Sequence, residues 1–178
     1  MKVPTSNKKP TQAKLWQEKG RFRMDKKLYV AYGSNLNLPQ MANRCPTAKL
    51  VGASELKGFK LLFRGGHGGA VATVEPSKDS KVPVLIWEIT ATDEKALDRY
   101  EGYPFLYRKE NVKVKLNGRN VKAMAYIMNE GKALGQPSMY YYSVIYDGYK
   151  AQNFDIETLR TALEDSVERA ETTNDRED

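Results

Sequence analysis

Cysteine and histidine are each present once, as Cys45 and His67. One cysteine forms no internal disulfide and no Cys-rich zinc site, and one histidine excludes a multi-histidine metal site within a single chain. No apolar run approaches the roughly 20 residues that a helix needs to cross a bilayer. The N-terminus has no apolar segment of the signal-peptide kind. Neither Gly-x-Gly-x-x-Gly nor Gly-x-x-x-x-Gly-Lys-Ser/Thr occurs, so dinucleotide and P-loop sites have no support. No internal repeat is visible. The 178 residues, 40% of them hydrophobic, fit one domain with a core of its own. These features predict a cytoplasmic protein without a structural metal and without a membrane partner.

The net charge of +7 is concentrated at one end. Residues 1–27 hold nine Lys or Arg against Glu18 and Asp25, a balance of +7, and the remaining 151 residues hold 20 bases and 20 acids. A basic arm can touch nucleic acid or an acidic surface, but the neutral remainder argues against nucleic acid as the partner. Residues 1–26 read as a basic, disordered extension with a short helix around Ala13–Lys19. Residues 27–165 read as the folded domain. Residues 166–178 read as a fraying acidic tail.

Along that domain, a short run rich in strand formers, Leu28–Tyr32, stops abruptly at Gly33-Ser34-Asn35. The spacing then predicts a short helix at Leu38–Arg44 and extended structure over Ala48–Arg64, broken at Gly58. Further strands are expected at Ala70–Glu75 and Pro83–Thr90, with a polar turn at Ser77–Lys81 between them. Thr92 is expected to cap a helix that ends near Tyr100. Asn117-Gly118 marks a hairpin between Tyr107–Leu116 and Val121–Met128. Two helices close the chain, over Ser138–Ala151 and from Asp155 to about Arg169. This order predicts an α+β fold, a compact mixed sheet or small barrel with helices packed outside.

Three features bear on chemistry. The amides of a Gly-Ser-Asn turn can converge on an anion such as a carboxylate, and Gly33 admits close approach of a ligand. Glu101 follows a helix end, where its charge suits the dipole badly, in a segment with Tyr100, Tyr103, Phe105 and Tyr107. A carboxylate among rings is desolvated, and its raised pKa suits it to move protons near neutral pH. Tyr140, Tyr141 and Tyr142 point in three directions about 100° apart on a helix, so they do not all pack into a core. Four glycines around His67 mark a mobile loop that could cover a site, although such a histidine is more often only solvated.

Taken together, these pieces resemble the γ-glutamylcyclotransferase-like superfamily, which includes AIG2-like and γ-glutamylamine cyclotransferase-type proteins. The matching motifs are Tyr32-Gly33-Ser34-Asn35-Leu36, then Leu97-Asp98-Arg99-Tyr100-Glu101-Gly102-Tyr103-Pro104 with Tyr107-Arg108. Ala125-Tyr126-Ile127-Met128 follows, then Pro137-Ser138 with Tyr141, Ile145 and Gly148. Their order and spacing over about 27–165 carry the resemblance; each alone is weak. The resemblance implies a small mixed β-barrel flanked by helices with a cavity at its mouth. It implies that Tyr32, Gly33, Ser34, Asn35 and Leu36 hold the amino-acid end of the substrate. Glu101 would be the general acid/base, and Tyr107, Tyr126 and Tyr141 would line the pocket.

The implied reaction needs no cofactor and no metal. The substrate is a small γ-glutamyl amine or dipeptide, and the products are pyroglutamate (5-oxoproline) and a free amine or amino acid. The alternative is a non-catalytic protein that holds a small amino-acid-like ligand in the same cavity. Retention of Glu101 favours the enzyme, because a binder has no need of an acid there.

Overall fold

The computed structural model describes residues 26–66 and 68–174. The basic extension up to residue 25, its expected helix at Ala13–Lys19, His67 and residues 175–178 lie outside the described residues.

Five strands form one mixed sheet in the order β2-β3-β1-β5-β4. The strands are β1 (Lys27–Ala31), β2 (Lys49–Arg64), β3 (Val71–Ile89), β4 (Tyr107–Leu116) and β5 (Arg119–Met128). The apolar β1 sits at the centre. It runs antiparallel to β3, with Lys27 opposite Ile89 and Ala31 opposite Leu85, and parallel to β5 at Tyr29 and Met124. Tyr29, Val30 and Ala31 are all buried, so both faces of this central strand are covered.

The expected barrel takes the form of a curled sheet. Edge strands β2 and β4 approach each other without a ladder, where the Ser54 hydroxyl donates to the Lys115 carbonyl at 2.6 Å. A Cβ on Gly52 would lie 3.2 Å from Leu116 Cδ1, so a small residue permits the approach.

Three local expectations are corrected. The extended structure before residue 64 is not broken at Gly58, whose φ of +79° instead accommodates a register shift inside one continuous β2. The polar turn expected at Ser77–Lys81 does not end the strand but lies within a 19-residue β3 as a bulge, where Ser77–Ser80 have no partner in β2 and Asp79 takes a φ of +63°. Pro76 and Pro83 are tolerated there because β1 pairs only with Leu85–Ile89, leaving the earlier part of β3 free of that ladder. The cap of the second helix is Thr90 rather than Thr92. Its side chain accepts from the Asp93 amide while the Asp93 carboxylate accepts from the Thr90 amide.

Four helices flank the sheet: α1 (Leu38–Arg44), α2 (Ala91–Tyr100), α3 (Met139–Ala151) and α4 (Ile156–Asn174). The hairpin at Asn117-Gly118 has φ of +50° and +77°, the left-handed pair that a two-residue turn requires. Helix α4 runs past Arg169. It is fastened to β2 by the fully buried Ser166 hydroxyl, which accepts from the Phe63 amide at 2.9 Å and donates to the Ala162 carbonyl. Among the described residues, no helix is long and apolar enough to cross a membrane.

Candidate active site

The end of β1 delivers the chain into a single 3₁₀ turn over Ser34–Leu36. The Leu36 and Asn37 amides close this turn on the Gly33 and Ser34 carbonyls at 3.0 and 3.1 Å. The Ser34 and Asn35 amides precede those bonds and are not used by the turn. Gly33 has a φ of −113°, so a left-handed backbone is not what calls for glycine. A Cβ there would sit in ordinary contact, 3.4 Å from Ala72 Cβ and 3.5 Å from the Tyr141 hydroxyl, taking up room in the cavity without a clash.

Helix α3 holds this turn in place. A Cβ on Gly148 would come within 2.8 Å of Leu36 Cβ and 2.9 Å of the Leu36 carbonyl carbon, so only glycine lets the two backbones meet. The same helix sorts its three tyrosines. Tyr141 turns to the turn, Tyr142 packs 6.1 Å from Phe63, and Tyr140 is 74% exposed.

The cavity is lined by Tyr29, Tyr32, Gly33, Ser34, Asn35, Ala72, Glu101, Tyr107, Tyr126 and Tyr141. All the residues expected at the site meet here except Leu36, which is fully buried against α3 and acts by seating the turn. The glycines on either side of His67 do not line it. Gly65 and Gly68 donate instead to the Ala133 and Gln136 carbonyls at 2.8 Å.

Glu101 caps the C-terminal end of α2, and its amide donates to the Leu97 carbonyl. The residue is half-buried, and it lines the cavity. Burial pushes the carboxyl up to about 7, against the lowering effects of the Arg44 guanidinium and of the Asn35 amide. Asn35 Nδ2 donates to Glu101 Oε1 at 3.1 Å and to the Tyr29 hydroxyl at 2.8 Å.

The five cavity tyrosines have pKa values raised by burial, so they remain protonated donors. Three of those protons are already engaged. Tyr32 donates to the Tyr126 carbonyl, Tyr107 to the Ala72 carbonyl at 2.6 Å, and Tyr126 to Asp98. Tyr29 and Tyr141 instead accept, from Asn35 and from the Ala72 amide at 3.1 Å, and Tyr141 also hydrogen-bonds the Ser34 side chain, so among the five it is Tyr29 whose proton the fold leaves unused.

Sequence reasoning missed Tyr29, Ala72 and Arg44. Tyr29 reads as an ordinary strand residue, and Ala72 has no functional group. Arg44 is half-buried at the end of α1, where its guanidinium lies 3.3 Å over the Tyr100 ring and donates to Asn35 Oδ1. Tyr100 in turn shares a 2.8 Å hydrogen bond with the Ser34 hydroxyl. Tyr100 and Asp98 belong to the quoted Leu97–Pro104 motif, but nothing in that motif assigns them a contact.

Comparison with known proteins adds an independent line. Residues 29–146 match the family described as gamma-glutamyl cyclotransferase, AIG2-like. Gamma-glutamylcyclotransferase of Homo sapiens is 30% identical over 139 residues, covering 73% of this chain and 73% of that protein. The Bos taurus protein of that name matches with the same identity and coverage, 30% and 73%. A solved gamma-glutamyl cyclotransferase structure superposes with a TM-score of 0.68 at 28% identity, over 78% of this chain and 86% of the other.

Proposed function

The chain belongs to the gamma-glutamyl cyclotransferase, AIG2-like family, and we propose that it cyclises a small γ-glutamyl amine or dipeptide, with Glu101 as general acid/base. The products are 5-oxoproline and a free amine or amino acid. The observation that carries this reading is the position of Glu101: a single carboxylate in the same cavity as the unused amides of the Gly33–Asn35 turn.

The unused Ser34 and Asn35 amides suit the α-carboxylate of the glutamyl group. Glu101 in its carboxylate form takes a proton from the α-amino group. The freed nitrogen attacks the γ-carbonyl carbon of the same molecule and forms the five-membered lactam. The C–N bond to the leaving amine breaks, and Glu101 returns its proton to that nitrogen. Bonds and protons balance without a protein nucleophile. The Tyr29 hydroxyl in this cavity suits a donor role toward charge developing on the carbonyl oxygen.

A carboxyl whose pKa lies near 7 is well matched to this double duty, since it both accepts and returns a proton near neutral pH. A pocket that holds the glutamyl chain folded supplies the remaining advantage, because ring closure needs the amine and carbonyl together.

The test is 5-oxoproline release from a panel of γ-glutamyl amines and dipeptides, comparing wild type with Glu101→Gln. Release that collapses in the variant supports the reading, and the panel names the leaving amine. Release that survives in the variant overturns the role of Glu101. Ligand binding without release in either protein favours a binding protein.

A further inference from the structure

We propose that Arg44 is a positioning residue for this reaction, acting through Asn35 to orient and hold the charge of the Glu101 carboxylate. The inference rests on the proposed role of Glu101 and adds a residue outside the cavity lining.

The argument starts from the Asn35 side chain. An amide presents a carbonyl on one side and an NH₂ on the other, and only one of the two orientations serves a carboxylate. A guanidinium has donors and no acceptor. With Arg44 donating to Asn35 Oδ1, the amide is forced to turn its NH₂ toward Glu101 Oε1 and the Tyr29 hydroxyl. Without Arg44, a flipped amide would place its oxygen against the carboxylate. Arg44 itself is held by its stack on Tyr100, one residue before Glu101, and by Gln40 one helical turn earlier at 3.5 Å. The relay therefore joins α1, the catalytic turn and the end of α2.

Arg44 is also the charge that matters most to Glu101. The titratable groups facing Glu101 are Tyr29 from β1, Tyr32 after it, Arg44 from α1, Tyr107 from β4, Tyr126 from β5 and Tyr141 from α3. The tyrosines have raised pKa values and stay neutral. Beyond Tyr126, Asp98 and Lys109 neutralise each other in a 2.7 Å pair. Arg44 opposes the effect of burial on Glu101. The sign follows: loss of the guanidinium raises the carboxyl midpoint and leaves less carboxylate at neutral pH.

The experiment follows the Glu101 carboxyl directly by ¹³C NMR titration of glutamate-labelled protein, with Glu101→Gln to assign the signal, and alongside it the acid limb of kcat/KM. In Arg44→Met both midpoints are expected to move up by about one pH unit, with kcat/KM at pH 6 falling about tenfold. Arg44→Lys, which keeps the charge, is expected to return the midpoint most of the way. If Arg44→Met does not fold, Arg44→Gln, which removes the charge but keeps a donor toward Asn35, is read in its place; its midpoint is expected to rise likewise, and an unmoved midpoint in it overturns the inference equally. An unmoved midpoint in folded Arg44→Met, or a shift in Arg44→Lys as large as in Arg44→Met, overturns the inference. A wild type that releases no 5-oxoproline while the NMR midpoint moves as expected overturns the reaction instead and leaves the coupling of Arg44 to Glu101 standing.

Discussion

Two cavities lie back to back across β3, β4 and β5. One takes Ala72, Tyr107 and Tyr126 as lining, and the other takes their chain neighbours Thr73, Arg108 and Ile127. Successive side chains on a strand point to opposite faces, so the same three strands serve both. The second cavity is much the larger, at about 440 Å³ against about 20 Å³. Its arginines are nevertheless already engaged. Arg64 pairs with Glu75 and donates to the Lys132 carbonyl, while Arg108 pairs with Glu110 and donates to the Met128 carbonyl. The small cavity instead is lined by the Glu101 carboxyl, the Gly33–Asn35 turn and the Tyr29 hydroxyl, whose proton the fold leaves unused. Size alone does not mark a reactive site; chemistry left over after the fold is satisfied does.

That contrast can be broken most sharply at Glu101. Glu101→Gln should lower kcat by about 10²–10⁴-fold, the usual contribution of a general acid/base, measured as 5-oxoproline release at saturating substrate. The fold should survive, because the substitution removes a carboxyl that burial disfavours in its charged form.

The second effect is on stability. The Glu101 pKa is about 7 in the folded protein against an ordinary 4.5, so the folded state binds the extra proton. Its contribution is fully present below about pH 4.5 and is lost as pH rises through about 7. Relative to Glu101→Gln, the wild type should lose stability across that window, by of order 3 kcal/mol. Denaturant unfolding of both proteins at pH 4.5 and pH 8 measures it. A gap that does not change with pH would contradict the burial of this carboxyl.

A weaker perturbation reaches the site from behind. Gly148→Ala forces a methyl against the Leu36 backbone, so it should cost about 1–3 kcal/mol and displace the turn that carries Ser34 and Asn35. Thermal unfolding and KM should both change. Smallest of all is the other cavity. Arg64→Met removes an ion pair with Glu75 that is still partly in water, so stability should fall by less than about 1 kcal/mol. 5-Oxoproline release should stay within about twofold of wild type. A large loss of activity there would show that the two cavities are not separate.

Part of the expected site was legible from local signals: Gly33-Ser34-Asn35 ends an apolar run, and Glu101 sits where a helix dipole disfavours it. Tyr107, Tyr126 and Tyr141 carry no such signal and were expected there only on the family resemblance. The hairpin at Asn117-Gly118 was legible from a local signal, since few residues adopt its positive φ angles. The unbroken β3 was not legible. Prolines and polar residues at 76–81 look like a turn, and locally Ser77–Ser80 bulge away from β2 without partners there, but the ladder resumes at Lys81 and the strand continues. Thr90 and Thr92 compete as caps for α2, and the choice fell to the one whose spacing lets Asp93 reach back.

By itself, the sequence determined the local chemistry: a neutral domain with one cysteine and one histidine, a Gly-Ser-Asn turn after a strand, and an acid among aromatic rings. Those are consequences of residue type and spacing along the chain. Only the tertiary structure decided which groups remain free to act. Tyr29 with Tyr32, Tyr107, Tyr126 and Tyr141 come from four segments distant in sequence, and their hydroxyl protons are engaged or available according to which backbone carbonyl or side chain lies opposite. The same holds for Arg44, whose place over Tyr100 and against Asn35 depends on how α1 meets the end of α2. Hydrogen bonds and desolvation act through space over a few ångströms, and separation along the chain does not set that distance.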